Sequence, residues 1–562
     1  MRNQSAPGWR KWAVGLTLAL AVGASGGCQP ATKTAGPPPS TASQAPPATA
    51  ASTDVPEPAR ATPDRPGQPP PSVPLAVESA VTTDQQPPAP SPPATTAPGP
   101  SAPARSASTR SERADDRADG AAATVPSLWT RTRGEDWPWF LGPSRDSKST
   151  ETGLIVPWPA NGPRIVWQRP LGEGYGIGSV SRGRFFQFDR YGQDAVLWCL
   201  NAETGEELWK FSYPTDYADL YNYNGGPRAS PVIDDERVYI LGVEGQLHCL
   251  NVTTGKVLWK VDTSREFGVV QNFFGVGSTP VVEGDLLLVM VGGSPAADQS
   301  VAPGQLDRVS GNGSGIVAFD KRTGEKRYQV TDELASYASL QLATIGDRRW
   351  AFAFCRANLV GFEPATGRVD FQFPWRARIL ESVNASTPVV VGDQVFISET
   401  YGIGSALLKV TPGHHEVVWQ DSANRREKAF KAHWNTPVYV DGYLYGCSGR
   451  NPPDAELRCI AWQTGEVRWS IPNRIRTSLL YVDGHLISMG EYGSLELIKV
   501  NPDKYERVAE VTLRRPDAGP PVAGLEPAPL LRYPCWAAPI LSHGLLYVRG
   551  DDRLVCLEVI PP

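Results

Sequence analysis

The sequence predicts an all-β protein, an eight-bladed β-propeller of four-stranded antiparallel blades whose ring is closed by an N-terminal strand. Three observations predict it. First, one phrase returns along the chain: Leu197-Trp-Cys-Leu-Asn-Ala-Glu-Thr-Gly-Glu-Glu-Leu-Trp209, Leu247-His-Cys-Leu-Asn-Val-Thr-Thr-Gly-Lys-Val-Leu-Trp259 and Leu457-Arg-Cys-Ile-Ala-Trp-Gln-Thr-Gly-Glu-Val-Arg-Trp469. A repeat of this period implies a closed array of like units. Second, a Ser/Thr-Pro-Val step opens the units at Ser230, Thr279, Thr387 and Thr436. Third, the two chain ends are complementary. The C-terminus stops on a third strand, Leu554-Val-Cys-Leu-Glu-Val, and an orphan strand, Arg164-Ile-Val-Trp-Gln-Arg, stands at the start of the repeats.

Ahead of the repeats the composition changes twice. Arg2, Arg10 and Lys11 precede an apolar run from Trp12 to Val22, then Gly-Ala-Ser-Gly-Gly and Cys28. A basic start, a short apolar core and small residues form an export signal over residues 1–28, and the run is too short to span a bilayer. Cys28 resembles the lipidated cysteine of bacterial lipoproteins, with Gly26 and Gly27 fitting that pattern and Ser25 standing where Leu is usual. Residues 29–127 are Pro, Ala, Thr and Ser with few large apolar side chains. Such a segment cannot bury enough surface to offset chain entropy. It is expected to be a disordered tether, and extended polyproline at about 3.1 Å per residue would reach well over 100 Å.

Residues 134–562 are expected to form the propeller. Each unit gives a Pro-Val strand, an Asp-Gly or similar turn, an apolar strand, a Gly turn, a second apolar strand, and Thr-Gly before an aromatic-ended strand. Short alternating runs separated by such turns are hairpins, and four strands per unit is a propeller blade. The closing strands fall at Trp209, Trp259, Tyr328, Phe371, Trp419, Trp469 and, without an aromatic, near Val508. Pairing the orphan strand containing Trp167 with the C-terminal one makes the eighth blade and removes a free sheet edge. Trp167, Trp209, Trp259, Trp419 and Trp469 are structural, filling space between sheets. Gly205, Gly255, Gly324, Gly367 and Gly465 take the turn position before them. Residues 292–315 are a polar insertion in the third unit.

Function is less legible. The net charge of −5 provides no basic domain for nucleic acid. Besides Cys28 there are seven cysteines, four of them (Cys199, Cys249, Cys459, Cys556) at one place in the repeat. They read as small packing residues, with few or no disulfides expected. The segments leading into each first strand should line the central funnel: Glu173–Gly178, Tyr223–Arg228, Asn272–Gly277, Ser336–Ala338, Ser382–Asn384, Ala432–Asn435, Asn473–Arg476 and Tyr533–Trp536. From these, Tyr175, Arg228, Asn384, His433, Trp434, Arg476 and Trp536 are the candidate ligand-binding residues. Aromatics mixed with Arg, His and Asn suit a planar, anionic or polyhydroxy ligand. A tyrosine-rich loop, Tyr213 to Tyr223, is a funnel wall or an interaction surface. The His414-His415 pair is placed in the turn before Trp419, with a metal role weighed against simple exposure. No Ser/His/Asp arrangement is supported by spacing, so no catalytic residue is assigned.

The pattern Ala/Cys-Leu/Phe-Asp/Asn-x-x-Thr-Gly-Lys/Glu-x-x-Trp resembles the repeat of pyrroloquinoline-quinone (PQQ) type propellers. The strap Asp136-Trp-Pro-Trp-Phe-Leu-Gly-Pro-Ser-Arg-Asp also looks like that of exported PQQ-binding-like repeat proteins. The resemblance implies one of two kinds of function. One is a non-catalytic, cofactor-free envelope scaffold similar to the outer-membrane assembly lipoprotein BamB. The other is a quinoprotein dehydrogenase of an alcohol or sugar, using PQQ and calcium. Against the dehydrogenase, the chain has no Cys-Cys pair and no Cys-x-x-Cys-His, and only Glu173, Asn384 and Asp307 suggest themselves as calcium oxygens. The expectation is a lipid-anchored scaffold binding an envelope protein or polymer, with no resident metal or cofactor. A carbohydrate-binding propeller is the third reading.

Overall fold

Alternating strands joined by tight turns can pair only with their sequence neighbours, and this propagates through the chain. The computed structural model describes residues 125–562 except 222, 423–425, 452 and 515–527. The expectations for the export signal, for Cys28 and for residues 29–124 lie outside the described residues. Eight sheets of four antiparallel strands follow in order, and seven of them are simple meanders. The eighth is completed by Arg164–Pro170, which pairs with Arg553–Glu558 in the register Trp167 to Cys556. The ring is an eight-bladed propeller closed by its N-terminal strand.

The repeat phrase encodes how neighbouring blades dock. At the third-to-fourth strand bulge of five units the aromatic faces a small residue: Trp209 opposite Cys199, Trp259 opposite Cys249, Trp469 opposite Cys459, Tyr328 opposite Ala318 and Phe371 opposite Gly361, whereas Trp419 of the fifth unit faces Leu407. The ring then reaches the next blade. Its indole N–H donates to the carbonyl beside the next Thr-Gly turn, Trp209 to Val252 at 3.2 Å, Trp259 to Lys321 at 3.2 Å and Trp419 to Trp462 at 2.8 Å. The turn glycine lies under the ring. Gly255 has φ 69°, and a Cβ there would stand 2.5 Å from Trp209. Glycine is required twice, by backbone and by the close approach. The repeat cysteines therefore make room for tryptophan, and all seven described cysteines are free and buried.

The Ser/Thr-Pro-Val step has its own bond. Ser230 N–H donates to Thr279 Oγ1 (3.2 Å), Thr279 N–H to Ser339 Oγ (3.0 Å), Ser339 N–H to Thr387 Oγ1 (3.3 Å) and Thr387 N–H to Thr436 Oγ1 (3.1 Å). A belt of hydroxyls thus satisfies backbone donors around the axis that the first strands leave unpaired.

Up-and-down strands put the first-to-second and third-to-fourth turns at one end of every blade, here the turn face. The lead-in segments and second-to-third loops share the other end, the loop face. The chain from Val125 crosses the turn face. Trp137 pairs with Val180, Trp139 donates to Ile233 O at 3.0 Å, Ser149 N–H donates to Tyr481 O at 2.9 Å, and Glu151 accepts from His543 N–H at 2.7 Å and Gly544 N–H at 2.6 Å. The strap ties blades one, two, seven and eight together on the turn face and does not cross the loop face. His414 and His415 are not in the turn. They open the strand His414–Gln420, and His415 packs on Phe371 at 4.9 Å, because the turn is made by Pro412 and Gly413.

One buried histidine gives a pH-dependent term. His248 is 3% exposed and stacks on Tyr213 at 4.8 Å. Burial, with Lys260 nearby, lowers its pKa from 6.5 to about 4. The native state refuses a proton that the unfolded chain accepts, so this contribution is complete above pH 6.5 and is lost as pH falls toward 4. The loss amounts to roughly 3 kcal/mol. Urea unfolding across pH 4–7 should show the slope, and His248→Leu should flatten its share. An unchanged slope would mean that His248 is accessible to protons in the native state.

Candidate functional site

At the loop face, side chains from all eight blades meet over the axis. Blade one supplies Tyr175, two Tyr223, three Phe274, four Tyr337, six Trp434 and eight Trp536, all from lead-in segments. Tyr401 of blade five comes from a second-to-third loop, and blade seven supplies Arg476. The rings run edge to edge. Tyr175 lies 4.8 Å from Trp536, Trp536 4.9 Å from Trp434, and Tyr223 6.3 Å from Trp536 and 5.9 Å from Phe274. Phe274 then touches Tyr337 at 5.8 Å, and His433 bridges Trp434 (4.5 Å) and Tyr401 (5.8 Å). The result is a continuous aromatic floor. Most of its rings are half-buried, and Tyr223 is 48% exposed.

Two arginines of this floor are matched by carboxylates of the same face, and Arg450 lies over Tyr401 at 5.1 Å. Arg476 stacks over Trp434 (4.6 Å) and Trp536 (5.1 Å) while pairing with the buried Glu491 at 2.6 Å. Glu491 also accepts from the Trp536 indole at 3.0 Å. Arg228 lies over Tyr175 at 5.3 Å and pairs with buried Asp219 at 3.3 Å. Asp219 is at the same time the anchor of the tyrosine loop, accepting the backbone N–H of Tyr221 (2.8 Å), Tyr223 (3.2 Å) and Asn224 (3.1 Å). Burial pushes the Tyr175 and Tyr337 phenols up, and that of Tyr401 to about 12. Burial, with Arg476 and Arg450 nearby, holds the His433 imidazole well below its ordinary value. At neutral pH the phenols and the imidazole are uncharged, and Tyr401 and His433 Nε2 are hydrogen-bonded at 3.3 Å.

Six of the seven candidate residues, Tyr175, Arg228, His433, Trp434, Arg476 and Trp536, therefore belong to one cluster. Asn384 stands apart. It is fully buried, and its amide N–H group donates to Cys355 O (2.8 Å) and Trp375 O (3.1 Å), holding strand ends together. Of the three oxygen donors considered for calcium, two are engaged elsewhere, and the third, Asn384 Oδ1, is buried without a hydrogen-bond partner. Glu173 accepts from Gly225 N–H at 3.0 Å, and Asp307 accepts from Arg356 at 2.7 Å and Arg376 at 2.9 Å. Among the described residues no group of three or more His, Cys, Asp or Glu is placed to hold a metal. Sequence reasoning missed Asp219, Tyr401 and Glu491. The available signal was topological: second-to-third loops share a face with the lead-in segments, so Tyr401 and Glu491 had to face the same axis.

Comparison with known proteins places this architecture. Residues 193–471 match the family described as "Outer membrane protein assembly factor BamB", and the ring is a PQQ-like β-propeller. No curated protein matches the chain. Similar solved structures include BamB from Moraxella catarrhalis, at 13% identity over 70% of this chain and 97% of that one, with TM-score 0.46. Another is the quinohemoprotein alcohol dehydrogenase from Comamonas testosteroni, at 11% identity over 76% and 81%, with TM-score 0.49. The computationally designed Ika8 protein resembles it at 9% identity over 71% and 100%, with TM-score 0.44.

Proposed function

We propose that this chain is an exported, lipid-anchored binding propeller of the cell envelope. It docks a protein or envelope polymer on its loop face and catalyses no reaction. The observation that carries the reading is the aromatic floor, two of whose arginines, Arg228 and Arg476, are neutralised by carboxylates of the same face. Half-exposed Tyr and Trp offer large contact area at low entropic cost. The match to a family described as an outer membrane assembly factor supports the envelope role. Cys28 would hold the chain at a membrane, and the Pro-rich segment ahead of Val125 would serve as its tether.

The alternative is a quinoprotein dehydrogenase, and the residues present fit PQQ and calcium poorly. A planar polyanion needs several guanidinium charges to spare, but Arg228 and Arg476 are paired with Asp219 and Glu491, which leaves Arg450 over Tyr401 as the floor's one arginine without a carboxylate partner among the described residues. A calcium ion needs convergent oxygens; Glu173 and Asp307 are engaged with other partners, which leaves Asn384 Oδ1 as a single free oxygen among the three.

Calorimetric titration of the full chain with PQQ, with and without calcium, should give no saturable heat. A photo-crosslinking residue at Tyr223, tested in cells, should trap an envelope partner, whereas the same probe at exposed Val467 on an outer strand should not. Calcium-dependent PQQ binding at micromolar Kd would overturn the reading.

A further inference from the structure

At the opposite end of the axis, the strap carries an arginine that no carboxylate neutralises. Arg145 holds its guanidinium 3.9 Å from the centre of the Trp139 ring, and its one hydrogen bond among the described residues runs from Nη2 to Val282 O of blade three at 3.4 Å. The neighbouring acid, Glu283, is already held by Arg349, which donates to it from Nε at 3.0 Å and from Nη2 at 2.9 Å. Burial, with Arg349 nearby, lowers the Arg145 pKa from 12.5 to about 10. The group is still a cation at neutral pH, kept in a poorly hydrated place without a counter-charge. It lines a cavity of about 290 Å³ between the strap and the first strands, together with Thr279, Ser339, Thr387 and Gln341. Each of the three hydroxyls accepts a backbone N–H from the neighbouring blade, and none donates to an acceptor among the described residues. A hydroxyl that accepts still has its proton to give. Gln341 is 5% exposed, its amide makes no hydrogen bond among the described residues, and its Oε1 is buried without a partner.

The charge balance selects the ligand. Arg145, Arg349 and Glu283 together leave one positive charge, which repels a metal cation and which a neutral molecule would leave unanswered. A monovalent anion cancels it, whereas a divalent one would overshoot. The remaining walls, Val232, Val281 and Leu340 among them, are apolar, so they offer nothing to the several oxygens of a sulfate or phosphate. A guanidinium and hydroxyl protons are charge-assisted and neutral donors to the same kind of acceptor. The Gln341 amide can join them, since a half-turn of its side chain exchanges oxygen for N–H. We propose that this cavity binds a monovalent inorganic anion of the chloride class, held between the Arg145 guanidinium and the hydroxyls of Thr279, Ser339 and Thr387. The anion joins the strap to the entries of blades three, four and five. The site is separate from the loop face, and the proposal stands or falls independently of the binding reading above.

The test is the NMR line width of chloride in solutions of the full chain, at constant ionic strength with gluconate as the balancing anion. Excess broadening that saturates at millimolar chloride and is displaced by bromide is expected. Arg145→Gln, which keeps a polar side chain without the charge, should abolish it, and Arg145→Lys should retain it within several-fold. Gln341→Leu should weaken it several-fold. Arg182→Gln, which removes an arginine of the turn face paired with Asp235, should leave it unchanged. Thermal unfolding separates binding from a merely structural role of Arg145. A ligand that binds only the folded state raises Tm with its concentration, so chloride should raise Tm in the parent and not in Arg145→Gln. A Tm loss in Arg145→Gln that is the same with chloride as with gluconate overturns the proposal. So does the absence of saturable broadening, broadening that survives intact in Arg145→Gln, or displacement of chloride by sulfate at lower concentration than by bromide.

Discussion

Asp189→Asn is expected to destabilise the propeller by about 3–5 kcal/mol, the cost of leaving a buried charge without its partner. Asp189 lies on the strand Arg184–Tyr191 of blade one and Arg549 on Leu545–Arg549 of blade eight, so their bond crosses the seam where the two ends of the chain meet. The pair is 2.7 Å apart with side chains 0% and 2% exposed. Arg549 also donates to Gly176 O at 2.8 Å, which connects the seam to the segment carrying Tyr175. Asp189→Asn leaves the guanidinium buried against a neutral amide, and Arg549→Met leaves the carboxylate alone. The double variant Asp189→Leu, Arg549→Met removes both charges and should recover most of the loss, because paired burial contributes little net stability. An exposed pair such as Arg182 with Asp235, at 3.4 Å and with the Asp side chain 80% exposed, should change stability by no more than about 1 kcal/mol when removed. Denaturant midpoints of the four variants decide the matter. If Asp189→Asn costs as little as the exposed pair, the seam is hydrated and the ion pair is not what holds it.

This pair shows where sequence reading ends. Trp209, Gly255 and Thr279 could be read because each position recurs, and a position that recurs around a ring must serve the contact between neighbours. The blade count and the latch followed from the same logic, an unmatched strand at each end. Asp189 and Arg549 occur once, 360 residues apart, and nothing local marks either as one half of a pair. The site divides in the same way. The lead-in segments were legible by topology, and they delivered Tyr175, Trp434 and Trp536 to the axis. Which of their polar groups face the axis was not legible, because a side chain's partner depends on three-dimensional neighbours. Asn384 has the composition of a ligand-binding residue, yet it is fully buried and its amide N–H group is consumed by Cys355 and Trp375 carbonyls. Arg228 and Arg476 looked like free cations, but Asp219 and Glu491, which neutralise them, lie on loops that the repeat pattern does not mark.

Trp167→Ala should cost a further 3–5 kcal/mol or so, the usual range for truncating a buried tryptophan, and the damage should be concentrated at the seam. Trp167 is 8% exposed and stands opposite Cys556 on Arg164–Pro170, the strand that the chain ahead of blade one gives to blade eight. Its indole N–H donates to Ala202 O at 2.9 Å, and its ring packs on Phe185 (6.1 Å) and Tyr547 (5.8 Å). A Cβ on Gly205 would come within 2.7 Å of it, so the glycine belongs to the same joint. Trp419→Ala removes an equivalent ring from blade five, but there the chain continues directly into the next blade and limits how far the two can separate. At the seam Trp167 and its strand, the Asp189–Arg549 pair, the Tyr547–Ala202 bond and the strap across the turn face resist opening. Hydrogen exchange should therefore accelerate across Arg164–Pro170 and Arg553–Glu558 in Trp167→Ala, whereas in Trp419→Ala the change should stay between blades five and six. Trp167→Phe keeps most of the buried area and leaves Ala202 O bonded to the Tyr547 hydroxyl at 3.0 Å, so its cost should be about 1–2 kcal/mol. Gly205→Ala attacks the joint from the other side, through φ 74° and the same ring, and should reproduce the exchange pattern of Trp167→Ala. If Trp167→Ala left exchange at the seam unchanged, the N-terminal strand would be an appendage of blade eight and not the latch that closes the ring.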